Sequence, residues 1–307
     1  MLTRLANRRV LITGASGFIG KHVVALGQRL GAELYVLCRN GLPGLHLREW
    51  LVDIRNAEAV RDAVSAIQPE GILHLTAGGV AYGSSLLPEL LKVNTIGLVH
   101  ILEASAVLRI PPRIVIAGSG FEYAPNNRPL TELDPLLPTS AYGVSKAAAT
   151  MLAALYAARM PITVLRLFSL YGPGELEPRL TPYIIAKAIR GESIDLTTGE
   201  QIRDYTFVED AAEAFWRALA TPEETSSLRV LNVATGVHVS LRQFVESLAG
   251  VLKDHGIKAD LRFGARPYRT DELMVYCAEV SRLQSSLSWV PDTPLALGLA
   301  KTVRAYL

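Results

Sequence analysis

Short runs of β-branched and aliphatic residues alternate with longer helical stretches along this sequence. The runs lie at 10–12, 34–37, 71–75, 113–117, 162–167 and 229–233. Each is continuously apolar rather than alternating, which is typical of strands buried on both faces of a sheet. Between them, 20–30, 57–67, 90–108 and 142–159 have helical patterns. This alternation predicts an α/β fold with a doubly wound parallel sheet.

The pattern changes after residue 170, where YGPG at 171–174 is followed by Pro178 and Pro182. Short helices and loops come next, so we expect a smaller C-terminal lobe. The apolar segments 208–219 and 229–233 resemble a return to the first lobe. We therefore expect residues 1–168, rejoined by about 204–235, to form the first lobe, and residues 169–307 to form most of an interleaved second lobe.

Composition argues against several classes of function. Lysine and arginine number 31 against 29 aspartate and glutamate, so no broad basic surface is expected to bind nucleic acid. Two cysteines, Cys38 and Cys277, cannot build a disulfide framework or a zinc cluster, which predicts a cytoplasmic protein without a metal site. The most apolar helical stretch, 147–160, has about 14 residues, short of the roughly 20 that a membrane span needs. We expect no contact with nucleic acid or membrane.

A glycine-rich turn directly follows the first apolar run. It reads TGASGFIG over 13–20 and opens the first helical stretch. Gly14 permits a tight turn, Gly17 lets the backbone approach a pyrophosphate, and Gly20 lets the helix pack on the sheet. The helix N-terminus would face the phosphates. The first gap is one residue longer than in the usual fingerprint, and the loop predicts a Rossmann-type first lobe that binds a dinucleotide.

The end of the second strand bears on the choice between NAD and NADP. A carboxylate there accepts from the ribose 2′-OH of NAD, whereas an arginine holds the 2′-phosphate of NADP. This chain has Arg39 at that point, so we expect NADP, with NAD as the alternative. Asp53, at the end of the third strand, is placed to accept a hydrogen bond from the adenine amine. Its alternative role is to cap the helix that begins near Asn56.

Tyr142 and Lys146 stand four positions apart on one predicted helix, and so on one face, about 6 Å apart along its axis. A phenol titrates near 10, and an adjacent cation is expected to lower the pKa of Tyr142 toward neutral pH, making it a general acid or base. Ser119 follows the fifth strand, at the carboxyl edge of the sheet where ligands bind. Its hydroxyl is available to a substrate oxygen, and the three residues together predict catalysis.

These residues are part of a longer set of motifs. The chain carries TGASGFIG (13–20), HLTA (74–77), Asn94, Ser119, YGVSK (142–146), RLFSLYGPG (166–174) and RDYTFV (203–208). With them it resembles the extended short-chain dehydrogenase/reductase family over nearly its whole length.

The resemblance implies a nicotinamide cofactor on the first lobe and a nucleotide-diphosphate sugar under the second. It implies that the tyrosine exchanges a proton with the sugar hydroxyl, the lysine bonds the nicotinamide ribose, and the serine orients the reacting oxygen. Asn94 matches a supporting position of the active site. Together with Arg39, the residues expected at the cofactor are Gly14, Ser16, Gly17, Phe18, Ile19, Gly20, Asp53, Ile54, Leu75, Ala77, Tyr142 and Lys146.

The residues directly after Ser119 limit which reaction of this family the chain can catalyse. The 4,6-dehydratases that this chain resembles carry Asp and Glu directly after the hydroxyl residue, whereas this chain has Gly120 and Phe121. A 4,6-dehydratase needs these two carboxylates as the acid and the base of the elimination. The nearest carboxylate in this chain, Glu122, comes one residue after the two positions. Reduction or epimerisation at C4 remains. Arg39 favours an NADPH-dependent reductase of a nucleotide-linked 4-keto sugar, such as a 4-keto-6-deoxyhexose, over an NAD-dependent 4-epimerase that keeps its cofactor.

The resemblance also indicates substrate contacts besides Ser119. Arg203 and Arg266 are expected at the diphosphate or ribose, because guanidinium groups bind such anions bidentately. The alternative for each is a surface ion pair. Ser169 stands where many relatives have Asn, so a different sugar or head group is expected there.

Two other functions are compatible with this sequence, a redox sensor and a reductase of small carbonyl compounds. A redox sensor without catalysis would need no proton donor at Tyr142, and a reductase of a small aldehyde or ketone would need neither arginine clamp.

His74 lies inside a strand and is expected to be a packed core residue. The stretches 90–108 and 142–159 have apolar faces suited to a second copy of the chain, so we expect a homodimer.

Overall fold

A computed structural model describes residues 2–42, 47–79, 86–222 and 228–307 of the chain. The strands in these residues are β1 (Arg9–Thr13), β2 (Glu33–Cys38), β3 (Arg48–Leu51), β4 (Gly71–His74), β5 (Arg113–Ser119), β6 (Ile162–Leu167), β7 (Ser169–Tyr171), β8 (Ser193–Leu196), β9 (Ile202–Phe207), β10 (Leu228–Val233), β11 (His238–Ser240), β12 (Asp260–Phe263) and β13 (Val275–Tyr276). The helices are α1 (Phe18–Arg29), α2 (Ala57–Ile67), α3 (Leu87–Leu90), α4 (Gly97–Ala106), α5 (Ala141–Tyr156), α6 (Leu180–Ile189), α7 (Val208–Ala220), α8 (Leu241–Asp254), α9 (Ser281–Leu287) and α10 (Leu295–Tyr306). A π-helical turn, Leu91–Ile96, joins α3 to α4, and 3-10 turns lie at Leu2–Leu5 and Gly120–Glu122.

Seven strands form one parallel sheet in the order β10-β6-β5-β4-β1-β2-β3. Every residue of β4 and of β6 is buried, because helices cover both faces of the sheet. The strand order reverses at β1, which lies between β2 and β4, and such a reversal opens a crevice at the carboxyl edge where ligands bind. The predicted Rossmann-type α/β fold is confirmed.

The helices divide between the two faces of this sheet. One hydrophobic cluster includes residues of α1, α7 and α9, and another includes residues of α2, α4 and α5. The approach of α1 to α7 is close because Gly27 leaves room for Trp216: a Cβ at Gly27 would lie 2.3 Å from the indole. The indole N–H donates to the carbonyl of Val23 at 2.8 Å. The chain segment that follows β9 therefore packs back onto the first lobe.

The start of α5 is fixed at the carboxyl edge of the sheet. The hydroxyl of Ser140 accepts the Gly143 N–H at 3.0 Å, which satisfies one of the free donors of the first turn. A Cβ at Gly143 would lie 2.3 Å from the carbonyl oxygen of Phe121, so the helix end presses directly on the loop after β5. This contact places Tyr142 beside Ser119.

The second lobe is built around β9, which pairs with β7, β11 and β13. β8 and β12 form a separate parallel pair. Phe207, Phe244 and Leu299 are buried in its core, where α8 and α10 pack on β9. β10, by contrast, joins the large sheet next to β6. In the described part of the chain, no helix has the length and apolar character to cross a membrane.

Candidate active site

The glycine turn between β1 and α1 is required by close backbone contacts. Gly14 has a φ of +76°, and a Cβ there would lie 2.7 Å from the backbone at Leu75 and Thr76, at the end of β4. A Cβ at Gly20 would lie 2.1 Å from the carbonyl oxygen of Gly14. Gly17 caps α1 without a side-chain hydrogen bond. The first turn of α1 therefore offers backbone N–H groups to an anion, as a pyrophosphate site requires.

The other residues expected at the cofactor surround this turn. Ser16 and Ala77 are exposed, Phe18 and Ile19 are half-buried, and Leu75 is buried. The Leu75 N–H donates to the Thr13 carbonyl at 3.0 Å, which holds the strand ends of β1 and β4 together. The structure thus brings the residues of the turn and of the segment after β4 to one edge of the sheet.

Arg39 and Asp53 lie at the ends of β2 and β3, on the same edge. Arg39 is exposed, and its charge contributes to the low pKa of Asp53. Asp53 accepts hydrogen bonds from Arg55, the shortest from Nη2 at 2.6 Å, and these chiefly lower its pKa to about 2. The alternative role of Asp53 as a helix cap is wrong, because the Asn56 side chain caps α2 by accepting from the Ala59 N–H at 3.1 Å.

Ile54 lies behind this edge and packs against the helix that follows the π-helical turn. A Cβ at Gly97 would lie 3.0 Å from the Ile54 side chain. The carbonyl of Ile54 accepts a hydrogen bond from Nδ1 of His100 at 2.9 Å. Ile54 therefore couples α4 to the segment that carries Asp53.

Ser119 ends β5 and is held by its own turn. Its hydroxyl accepts the Phe121 N–H at 3.2 Å, and its N–H donates to Oε1 of Glu122 at 2.8 Å. Burial raises the pKa of two phenols near it, Tyr142 and Tyr276, and the Ser119 side chain opposes both shifts. Ser119 therefore lies near two tyrosine side chains.

Tyr142 and Lys146 lie on one face of α5, with the Lys146 ammonium 6.0 Å from the centre of the phenol ring. The ammonium donates to the carbonyl of Ala117 at 2.9 Å. Burial lowers the pKa of Lys146 to about 8, against the opposing charge of Glu122. Burial, with the Glu122 charge as the second cause, raises the pKa of Tyr142 to about 12. The prediction that Lys146 brings the phenol pKa toward neutral is wrong, because loss of hydration dominates.

Asn94 lies in the π-helical turn and is buried. Its Oδ1 accepts the Gly78 N–H at 2.7 Å, and its Nδ2 donates to the Ser145 hydroxyl at 2.9 Å. Ser145 in turn donates to the carbonyl of Tyr142 at 2.8 Å. Asn94 therefore supports the site through the backbone of α5 and the segment after β4. π-helical turns occur often at functional sites.

An aromatic wall, which sequence reasoning missed, closes one side of the site. The Tyr276 ring stacks on Phe121 with centroids 4.7 Å apart, and Phe121 meets Tyr142 edge-on at 6.4 Å. A Cβ at Gly120 would lie 2.7 Å from the Tyr276 hydroxyl. Tyr276 comes from the two-residue strand β13, and no local pattern in the sequence links it to Ser119.

The expected substrate residues lie on the second lobe or at its start. Arg203 is half-buried; its Nη2 donates to Glu272 at 2.9 Å and its Nη1 to the carbonyl of Ile202. Arg266 is exposed and donates to the Tyr183 hydroxyl at 3.1 Å. Ser169 begins β7, half-buried, in register with Tyr205 of β9. Arg203 thus forms an ion pair with Glu272 in this structure.

The model of the NAD dependent epimerase/dehydratase family matches residues 10–234 of this chain. The matched range contains the glycine turn, Ser119, Tyr142 and Lys146. The chain belongs to the NAD dependent epimerase/dehydratase family. It is an NAD(P)-dependent enzyme of the short-chain dehydrogenase/reductase type.

Members of this family similar to the chain include both epimerases and reductases. UDP-glucuronate 4-epimerase 4 of Arabidopsis thaliana is 30% identical over 97% of this chain and 75% of its own. A dTDP-4-dehydro-6-deoxy-D-allose reductase of Streptomyces bikiniensis is 28% identical over 98% of this chain and 97% of its own. Among solved structures, MoeE5 in complex with UDP-glucuronic acid and NAD has a TM-score of 0.85 at 29% identity, covering 97% of this chain and 98% of MoeE5.

Proposed function

We propose that the protein is an NADPH-dependent reductase of a nucleotide-diphosphate 4-keto sugar, with 4-keto-6-deoxyhexoses as the sugar class. Arg39 carries this proposal. It is exposed at the end of β2. Among the described residues, no carboxylate lies within salt-bridge distance of its guanidinium group. Asp53, the acidic side chain on which its charge acts, is already bound by Arg55. Two guanidinium groups against one carboxylate leave net positive charge for a ribose 2′-phosphate.

Tyr142 is the proton donor in this proposal. Its phenol, with a pKa of about 12, is protonated at neutral pH and so has a proton to donate to a carbonyl oxygen. Ser119 orients that oxygen, and Lys146, held at the Ala117 carbonyl, is positioned to bind the nicotinamide ribose. When bound, the nicotinamide supplies the hydride. The turn from Gly14 to Gly20 would hold its pyrophosphate.

The surroundings of Ser119 argue against a 4,6-dehydratase. The space that a side chain at Gly120 would need is taken by the Tyr276 hydroxyl. Glu122 is fully buried and accepts hydrogen bonds from Thr150 and Arg166, at 2.8 and 2.9 Å. A carboxylate committed in this way is not available as an acid or base for elimination.

The nucleotide and diphosphate belong to the second lobe in this proposal. Residues 169–307 form most of that lobe, and residues 1–168, rejoined by about 204–235, form the cofactor lobe. Arg203 and Arg266 would bind the diphosphate or ribose, with Ser169 near the sugar. The relatives named above act on UDP-linked and dTDP-linked sugars by their names, which supports this class of substrate.

The proposal is tested by following NADPH oxidation with a panel of UDP-, dTDP-, GDP- and CDP-linked 4-keto-6-deoxyhexoses. One NADPH should be consumed for each sugar reduced. Tyr142→Phe should lower the rate about 10²–10⁴-fold, as expected for the loss of a general acid. Tyr156→Phe, on the same helix, is the matched control. Full turnover by Tyr142→Phe would overturn the assignment.

An NAD-dependent NDP-sugar 4-epimerase is the second candidate. It is favoured by the similarity to UDP-glucuronate 4-epimerase 4 and to MoeE5, whose structure contains NAD. Purified protein that carries tightly bound NAD and interconverts NDP-hexoses without net consumption of NADPH would establish it in place of the reductase.

We also propose a cytoplasmic homodimer that pairs through α5 and the π-helical turn. Met151 and Leu155 on α5 are 64% and 73% exposed, and Ile96 is 45% exposed. Apolar side chains in a stripe of this kind are typical of helix–helix interfaces. Light scattering should report a dimer that Leu155→Glu converts to a monomer, whereas Leu133→Glu, at another exposed leucine, should leave the dimer intact. Cys38 and Cys277, both free and buried, suit a reducing compartment.

A further inference from the structure

Glu122 is the most enclosed charged group near the candidate catalytic residues. Its exposure is 0%, and its carboxylate touches three elements. Oε1 accepts the Ser119 N–H at 2.8 Å, while Oε2 accepts from the Thr150 hydroxyl of α5 and from Nε of Arg166 on β6. Gly118 makes room for it, since a Cβ there would lie 2.8 Å from Oε1. The carboxylate is therefore bound between the Ser119 turn, α5 and β6.

The same carboxylate lies beside the lysine of the site. Thr150 follows Lys146 by one helical turn on the same face of α5, so the Thr150 contact brings the negative charge close to the ammonium. Glu122 is the charged group that favours the protonated form of Lys146 against its burial. Other titratable or charged groups near this pair are Tyr123, which directly follows Glu122, His74 of β4, Tyr142 of α5, Arg166 of β6 and Tyr276 of β13, and Arg179 before α6 acts on Tyr142.

We propose that Glu122 is a positioning residue of this active site, which fixes the backbone of Ser119 and keeps Lys146 in its charged form. The proposal rests on the roles of Ser119 and Lys146 proposed above. One carboxylate links both, because its two oxygens point to different elements: Oε1 to the serine turn and Oε2 to the helix that carries the lysine. Without the negative charge, an ammonium group in this buried place would lose its proton more easily.

Glu122→Gln separates the charge from the hydrogen bonds. The amide oxygen still accepts the Ser119 N–H, but the charge is gone. The pKa of Lys146, measured by NMR on protein labelled with ¹³C at lysine Cε and assigned with Lys146→Met, should start near 8. In Glu122→Gln it should fall by about one pH unit, the order of magnitude expected for the loss of one nearby charge inside a protein. The alkaline limb of kcat/KM should move to lower pH by the same amount.

Two variants distinguish this role from a purely structural one. Glu122→Asp keeps the charge and should restore the Lys146 pKa to within about 0.3 units. Thr150→Val removes one hydrogen bond from the same carboxylate without altering charge, and should leave that pKa unchanged because the Ser119 N–H and Arg166 still hold the carboxylate in place. A pKa that stays the same in Glu122→Gln, or that shifts equally in Thr150→Val, would overturn the proposal.

The test does not depend on folding of one variant or on the substrate. If Glu122→Gln fails to fold because Arg166 is left unpaired, the double variant Glu122→Gln/Arg166→Met replaces it. Its Lys146 pKa is compared with that of Arg166→Met, so that loss of the guanidinium charge is common to both, and a fall of about one pH unit between these two variants is expected. NMR titration needs no sugar, so a wrong substrate class would leave this result intact.

Discussion

The side-chain amide of Asn94 donates to the hydroxyl of Ser145 at 2.9 Å and thereby ties the π-helical turn to the helix that carries Tyr142. The same amide group exchanges two further hydrogen bonds with the backbone of Gly78, at 2.7 and 3.1 Å. One buried side chain thus holds the segment after β4 against α5.

Asn94→Ala should therefore destabilise the fold, because it leaves the Gly78 N–H and C=O and the Ser145 hydroxyl without their partner. We expect a loss of about 2–4 kcal/mol in the free energy of unfolding, measured by urea denaturation. Ser145→Ala removes one of these bonds together with its own polar group and should cost only about 1 kcal/mol. Equal losses in the two variants would contradict a central role for Asn94.

Gly20→Ala should abolish cofactor binding, since its methyl group would lie 2.1 Å from the carbonyl oxygen of Gly14 and force the turn open. Gly250→Ala is the matched control: Gly250 lies within α8, and a Cβ there would have nothing within 4 Å. The control should gain about 0.5–1 kcal/mol of stability from helix propensity. Thermal shift with NADPH and NADH measures both effects. Normal cofactor binding by Gly20→Ala would show that the turn tolerates opening.

Gly120→Asp, which introduces a carboxylate after Ser119, should not create dehydratase activity. The new Cβ would meet the Tyr276 hydroxyl at 2.7 Å and the Phe168 ring at 2.9 Å, so a loss of about 1–3 kcal/mol in stability is expected. The double variant with Tyr276→Phe should recover part of that loss, because the nearest atom is removed. Chemical denaturation of the single and double variants checks this, and the absence of any recovery would place the clash elsewhere.

Arg39→Ser should reduce the affinity for NADPH about 10–100-fold, which is the cost of losing charged hydrogen bonds to a phosphate. The affinity for NADH should change little, since NADH lacks the 2′-phosphate. Arg29→Ser, at the opposite end of α1 from the glycine turn, is the control for loss of a surface charge. Isothermal titration gives the dissociation constants. Equal weakening of both cofactors, or of neither, would remove the basis for NADP preference.

The parallel sheet and the glycine turn could be predicted because their causes are local. Continuous apolarity marks strands buried on both faces, and α2 begins and ends where its apolar period does, at Ala57 and Ile67. The fifth strand extends to Ser119, two residues beyond its apolar run, because its backbone continues to pair with β6 up to Leu167. Where a strand ends therefore depends on its pairing with the neighbouring strand rather than on the type of residue at that position.

The parts that escaped prediction depend on contacts distant in sequence. Tyr276 reaches Ser119 and Phe121 from β13, which pairs with β9, so no spacing in the sequence reveals it. The spacing of Tyr142 and Lys146 predicts correctly that both lie on one helical face. It does not predict their pKa values, because burial by the surrounding elements affects the pKa of each group more than their separation does.

His74 leads to a prediction about acid stability. It is 1% exposed, its Nδ1 is 3.0 Å from the Thr13 hydroxyl, and burial lowers its pKa from 6.5 to about 3. Below pH 6.5 the unfolded chain takes up a proton that the folded protein refuses, so stability falls with pH by about 1.4 kcal/mol per unit until the folded pKa is reached. His74→Gln does not titrate and lacks this loss. Between pH 6.5 and pH 5, wild type should lose about 2 kcal/mol relative to the variant in urea denaturation, and parallel curves would show that His74 is protonated in the folded protein.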